Sequence, residues 1–274
     1  MDKCTILIEN TTSELLSAKV EHGLSLLIEA QNKSFLFDFG STEKFMFNAS
    51  LMNKDLDNLD FVSFSHSHYD HSSGFLSYVK DHSVNEIIIG KNFFLPKYAL
   101  DNDVFTYLGC GFDKAFIEKK NIKTTEVIDL YKITDTMYFM NNFKNHYSFE
   151  TIPERFVHGD EDASLKDHFL DEMSIVIDNN GELTFITGCA HAGILSMIAQ
   201  VNEKFEGRVT RVIGGAHLNR ADEKRLERTA NELENLGVKE TFFCHCSGDR
   251  ITEVLKDTTS IMAHKVSTGD IIKL

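Results

Sequence analysis

Phe64-Ser65-His66-Ser67-His68-Tyr69-Asp70-His71-Ser72-Ser73-Gly74 is the stretch on which the reading of this chain turns. It continues from Phe61-Val-Ser-Phe-Ser65, whose β-branched and aromatic residues read as a strand. Histidines at i and i+2 of an extended segment project to the same side. His66 and His68 can therefore grip one cation through imidazole nitrogens. Asp70 and His71 come where the chain must leave the strand and turn, so they can face a second cation or the opposite side of the first. Imidazole with carboxylate suits Zn²⁺, and also Mn²⁺ or Fe²⁺. Four candidate ligands within six residues at a strand end form a specific pattern. The isolated His82, His146 and His264 carry no such signal and read as surface or satisfied core residues. Gly74 permits the turn into the next helix.

Outward from this segment, short apolar runs alternate with amphipathic stretches, which points to mixed α and β structure. Leu24–Ala30 and Ser34–Phe39 read as strands joined by a turn at Gln31-Asn-Lys33, and Glu86–Ile89 as another. Met173–Asp178 and Glu182–Thr187 flank Asn179-Asn-Gly181, a strong hairpin signal. Val209–Ile213, Glu240–Phe243 and Asp270–Leu274 complete the strands. The spacing predicts helices over His191–Phe205 and Asn219–Leu236, the second with Asn219 as N-cap and Gly237 just past its end. The stretch at about 91–155 holds both prolines and many aromatics, and reads as a less regular elaboration of a single 1–274 domain.

The composition narrows the class. The chain has 274 residues, 28 Lys+Arg against 42 Asp+Glu, and a net charge of −14, which argues against a nucleic-acid partner needing a basic face. It does not exclude a local cationic pocket. A chain this long needs no disulfides to stabilise its core. No apolar run approaches the roughly 20 residues that span a bilayer, and the start, Met1-Asp-Lys-Cys-Thr-Ile-Leu-Ile8, lacks the features of a secretory signal. Of five cysteines, Cys189, Cys244 and Cys246 lie beside histidines while Cys4 and Cys110 stand alone. That usage suits a reducing, cytoplasmic setting.

The His-x-His-x-Asp-His segment after a short strand resembles the metallo-β-lactamase fold superfamily. Glu21-His-Gly-Leu-Ser25, Phe37-Asp-Phe-Gly40, Ser65–His71, Thr187-Gly-Cys-Ala-His-Ala-Gly193, Gly214-Gly-Ala-His217 and His245-Cys-Ser-Gly248 occur in the order of that family. Together they are similar to the branch named for the 7,8-dihydropterin-6-methyl-4-(β-D-ribofuranosyl)aminobenzene-5′-phosphate synthase. The resemblance implies an α/β (α+β) fold, a four-layer αββα sandwich, holding up to two divalent metal ions, zinc first and manganese or iron as alternatives. It implies that His66 and His68 bind the first metal and that Asp70 and His71 bind the second, with His245 matching the superfamily's final histidine. Where the superfamily commonly has Thr-Gly-Asp, this chain has Thr-Gly-Cys189, and Asp171-Glu172 sits near the place of another expected histidine. Three residues can then complete the site: His191, taken first; Cys189, as thiolate ligand or supporting thiol; and Glu172, as ligand or supporting carboxylate. His217, behind two glycines, can reach substrate or metal. His22, His158 and His168 are weaker candidates for the rim, with the polar run Val157–Ala163 at the pocket mouth.

For function, the resemblance implies a metal-dependent hydrolase in which a metal-activated hydroxide attacks an ester, lactone, amide or phosphodiester. Asp70 orients the nucleophile and His217 or His245 protonates the leaving group. The alternative is a transferase that condenses a dihydropterin diphosphate with a ribosyl-aminobenzene phosphate, using a helix N-terminus near Ala190–His191 as anion site. A second alternative is a metal-bound sensor without turnover, to which the altered Thr-Gly-Cys segment lends its support. The expected partners are a small, anionic substrate and a second copy of the chain, with neither nucleic acid nor membrane.

Overall fold

The computed structural model describes residues 2–12, 15, 17–159 and 165–274. They form two compact units. The first comprises Met1–Val127, Ile152–Asp171 and Ser267–Leu274, and the second Ile128–Thr151 and Glu172–Val266.

The first unit is built on a seven-stranded sheet in the order Ile271–Lys273, Lys3–Ile8, Ser25–Ala30, Lys33–Phe37, Phe61–Ser63, Glu86–Gly90 and Lys123–Val127. Its early part is antiparallel. Gln31 and Asn32 both take positive φ (53° and 61°), the backbone that a two-residue hairpin needs, and Ala30 faces Lys33 across it. From Lys33–Phe37 onward the neighbours run parallel. Parallel neighbours bring their carboxyl ends to one edge, so the residues after Phe37 and after Ser63 emerge side by side. The core beneath is aromatic. Phe64, fully buried, packs its ring 5.0 Å from Phe39, 5.3 Å from Phe75 and 5.0 Å from Phe93. A smaller sheet in the order Leu165–Lys166, Phe156–His158, Lys97–Asp101 and Val104–Tyr107 completes the unit.

The second unit repeats the plan with other residues. Its sheet runs Met262–Lys265, Glu240–Phe243, Arg208–Gly214, Glu182–Thr187, Ser174–Asn179, Met137–Met140 and Leu130–Lys132. The first four of these strands are parallel to their neighbours and the rest antiparallel. The Asn179-Asn-Gly181 signal is a tight hairpin, with Asn180 and Gly181 at φ 58° and 89°. Thr187, Gly214 and Phe243 thus end side by side, each leading into one of the quoted motifs. Ile198, Val212, Ala230, Leu233 and Leu255 form the core with the helices Ile194–Lys204, Glu223–Asn235 and Arg250–Thr258.

Three expectations shift. The stretch 91–155 supplies strands to all three sheets; they are short and mostly lie at or near sheet edges, which is why no clear periodicity marks them. The helix expected from His191 starts at Ile194, because Gly193 sits at φ 99°, outside helical backbone. The helix expected from Asn219 starts at Glu223, because the Asp222 carboxylate accepts the Arg225 amide at 2.8 Å and so caps the turn itself.

Phe64 joins the first unit's core to the segment Ser65–His71, and removing its ring should leave a cavity. Phe64→Ala should lower unfolding stability by about 3–5 kcal/mol, read from urea midpoints at constant slope.

Candidate metal centre

The first unit builds its donor set around Asp38. This residue follows the strand Lys33–Phe37 and takes a left-handed backbone (φ 68°), a conformation that non-glycine residues adopt at a cost. The turn aims a fully buried carboxylate at the neighbouring strand end. Asp38 Oδ1 accepts the Ser65 amide at 2.7 Å, and Oδ2 accepts the Ser65 hydroxyl at 2.6 Å. Oδ2 also lies 2.7 Å from His71 Nδ1. A carboxylate only accepts, so His71 carries a proton on Nδ1, and its neutral form keeps the lone pair on Nε2. Ser65 Oγ, its proton given to Asp38, accepts from His66 Nδ1 at 2.9 Å, which leaves Nε2 as the lone-pair nitrogen of His66 as well. One carboxylate therefore sets two imidazole tautomers.

The remaining donors follow from the turn. His68 precedes the short helix Tyr69–Ser72, and Ser72 Oγ donates to its carbonyl at 2.6 Å. The carbonyls of Asp70 and His71 accept the amides of Leu24 and Phe39. Gly74 is required by packing: a Cβ there would lie 2.2 Å from the Phe39 carbonyl oxygen. The His66 ring centroid is 4.7 Å from that of His68 and 4.3 Å from that of His71. Asp70 Oδ2 lies 3.9 Å from His71 Nε2 and 3.2 Å from Nε2 of the exposed His22. Burial is the largest cause holding His66 well below the ordinary imidazole value of 6.5, followed by the neighbouring His71 and His68. Burial, then Lys97, pulls His68 down to about 3. Both rings are neutral at pH 7, the state in which imidazole binds metal. Neutral imidazoles, a carboxylate, and a histidine oriented by a second carboxylate fit a divalent transition metal.

The second unit presents its own set at the three adjacent strand ends. Ala190, His217 and His245 all take left-handed backbone, at φ 56°, 49° and 54°. Cys189 Sγ lies within 4.8 Å of an imidazole nitrogen of His191 and of one of His245, and all three residues are buried. His217, half-buried, places its ring centroid 4.4 Å from that of His191, and its amide donates to Cys246 Sγ at 3.3 Å. Glu172 accepts the amides of His191 and Ala192, one on each carboxylate oxygen, at 2.7 Å. It shapes the loop that carries His191.

The anion site expected at the helix near Ala190–His191 is filled from within. The amides of His191 and Ala192 go to Glu172, while those of Leu195 and Ser196 go to the buried carboxylate of Glu150. Glu150 lies more than 40 residues earlier in the chain, and nothing local in the sequence marks it. His158 lies in the strand Phe156–His158 and lines a cleft of the first unit with Lys97, Asp167 and Asp171. His168 is exposed. Of the run Val157–Ala163, residues 160–163 lie outside the described residues. His82 stacks on Tyr78 and His264 on Phe242.

Residues 18–149 match the family model of the metallo-beta-lactamase superfamily. The chain is 28% identical over 269 residues to the 7,8-dihydropterin-6-methyl-4-(beta-D-ribofuranosyl)-aminobenzene-5′-phosphate synthase of Methanocaldococcus jannaschii, covering 92% of this chain and 90% of that protein. An uncharacterized protein of the same organism is 27% identical over 253 residues, covering 89% of this chain and 90% of its own. Among solved structures, Tm1679, described as a metal-dependent hydrolase of the beta-lactamase superfamily, superposes with a TM-score of 0.85 at 25% identity, covering 100% of this chain and 99% of that one. No helix among the described residues is long and apolar enough to cross a membrane.

Two outcomes test the donor set. Asp38→Asn should weaken zinc binding about 10–100-fold, measured by competition with a chromophoric chelator, because the tautomer of His71 is no longer imposed. In the chelator-treated protein, His66 and His68 stay neutral when folded but titrate near 6.5 when unfolded. The unfolded chain then binds more protons in acid, so stability should fall as pH drops from 6.5 toward about 3, checked by urea midpoints across that range.

Proposed function

We propose that this chain, whose residues 18–149 match the metallo-beta-lactamase superfamily, is a metal-dependent hydrolase of small anionic esters, lactones or phosphodiesters. The observation that carries this reading is the Asp38–Ser65–His71 network, which fixes the orientation of the His66 and His71 rings. His66, His68, Asp70 and His71 are the proposed ligands from the first unit, with His191 and His245 from the second. Each set offers imidazole to a divalent metal, zinc first. A divalent metal bound there supplies Lewis acidity and lowers the pKa of a water molecule.

The chain's own residues supply the rest. Asp70 orients the attacking water, and His22 Nε2 stands 3.2 Å from Asp70 Oδ2. His217, beside His191 and half-buried, is placed to hand a proton to the leaving group. Glu172 keeps the His191 loop in shape through two amides, so we assign it positioning rather than ligation. Cys189 lies next to His191 and His245, where a thiol can support either ring.

A second reading is the condensation named for the relative from M. jannaschii, to which the chain is similar over most of its length. One assay separates the two. Bis(p-nitrophenyl) phosphate and a lactone panel are offered to the zinc-loaded protein, and in parallel a dihydropterin diphosphate with a ribosyl-aminobenzene phosphate. Ester turnover that is lost on chelation, and falls by about 10²–10⁴-fold in His217→Ala, is the expected result. Release of diphosphate with formation of a carbon–nitrogen or carbon–carbon bond, without ester turnover, would replace hydrolysis by the transferase reading.

A further inference from the structure

We propose that Lys97 and Asp171 form a buried clamp that sets the position of His66 and His68, making Asp171 a positioning residue of the metal centre. This rests on the metal-binding reading of those two histidines.

Lys97 stands in the strand Lys97–Asp101 and is 2% exposed. Its ammonium group lies 2.7 Å from Asp171 Oδ1, 2.8 Å from Asp167 Oδ2 and 4.3 Å from the centroid of the Phe169 ring. One cation and two carboxylates are thus removed from water together. Such an arrangement is a poor source of stability, because apolar side chains of equal volume often serve as well or better. The contacts at its far side suggest what it does instead.

Asp171 has a second oxygen, and Oδ2 accepts the backbone amide of Ser67 at 2.8 Å. Ser67 is the residue between His66 and His68. A charge-assisted bond to that amide fixes the peptide from which both imidazoles spring. Asp167 works by a different route. Its Oδ1 accepts the Phe169 amide at 2.7 Å and holds a turn in which Phe169 takes φ 51°. The Phe169 ring then meets His68 edge-on, with centroids 5.2 Å apart at 83°, and stands 6.2 Å from His66. Lys97 joins both routes. One carboxylate holds the backbone between the two histidines and the other holds the ring against which they rest. Ligand orientation of this kind is set by partners one step removed from the metal, and its loss shows as weaker binding rather than as unfolding.

The test is zinc affinity and Co²⁺ absorption of the full chain. Asp171→Ala leaves Lys97 paired with Asp167, so no buried cation is stranded. It should weaken zinc binding about 10–100-fold and shift the visible bands of the Co²⁺-substituted protein, with far-UV dichroism unchanged. Asp167→Asn keeps the acceptor for Ser67 and should bind zinc more tightly than Asp171→Ala does. If Asp171→Ala does not fold, Asp171→Asn, which keeps the shape and loses the charge, should show the same band shift with a smaller loss of affinity. A folded Asp171 variant with parental affinity and unshifted bands would overturn the clamp while leaving the metal centre standing. Failure of the parent protein itself to take up zinc or cobalt would instead overturn the metal-binding reading on which the clamp rests.

Discussion

The contact between Asp38 and His71 governs the chemistry open to the first unit. A carboxylate and an imidazole meet at 2.7 Å with neither exposed to solvent. Asp38 is held by two bonds from Ser65, the residue immediately before His66. The strand ends Lys33–Phe37 and Phe61–Ser63 are thereby stitched together at the point where each leaves the sheet. Without that stitch the histidine rings would be free to rotate and to exchange tautomers. With it, at least two of them are lone-pair donors of fixed direction.

Most of the architecture and part of the site were legible in the sequence. Continuous apolar runs such as Ile87–Ile89 and turn residues such as Asn180-Gly181 determine their own local structure, and the observed strands and hairpins follow them closely. The His66–His71 segment was legible because its donors sit within one turn of chain. Its partners were not. Asp38 lies inside a quoted motif, but its role depends on parallel pairing with a strand about 25 residues on. Lys97 stands 74 residues before Asp171 and nearly as far before Asp167, and no local pattern connects it to them. Tertiary carboxylates at a helix start also escaped. The Glu150 side chain reaches the turn after Gly193 from outside the helix, and Glu172 does the same for the loop before it.

Left-handed backbone recurs at the ends of neighbouring strands in both units. Asp38 carries it in the first unit, and Ala190, His217 and His245 carry it in the second. Each such residue costs of order 1–3 kcal/mol unless its surroundings enforce it. That all but one are candidate site residues or their direct partners ties the strain to the place where side chains are aimed.

The strand pairing also sets an order of events at the ribosome. The first unit's sheet places Ile271–Lys273 against Lys3–Ile8, far earlier in the chain. The second unit draws on residues 128–151 and 172–266, all of which leave the exit tunnel earlier. The first unit is thus the last of the two to close its sheet. Until then the strand Lys3–Ile8 keeps an open hydrogen-bonding edge, the kind of edge that recruits a neighbouring nascent chain.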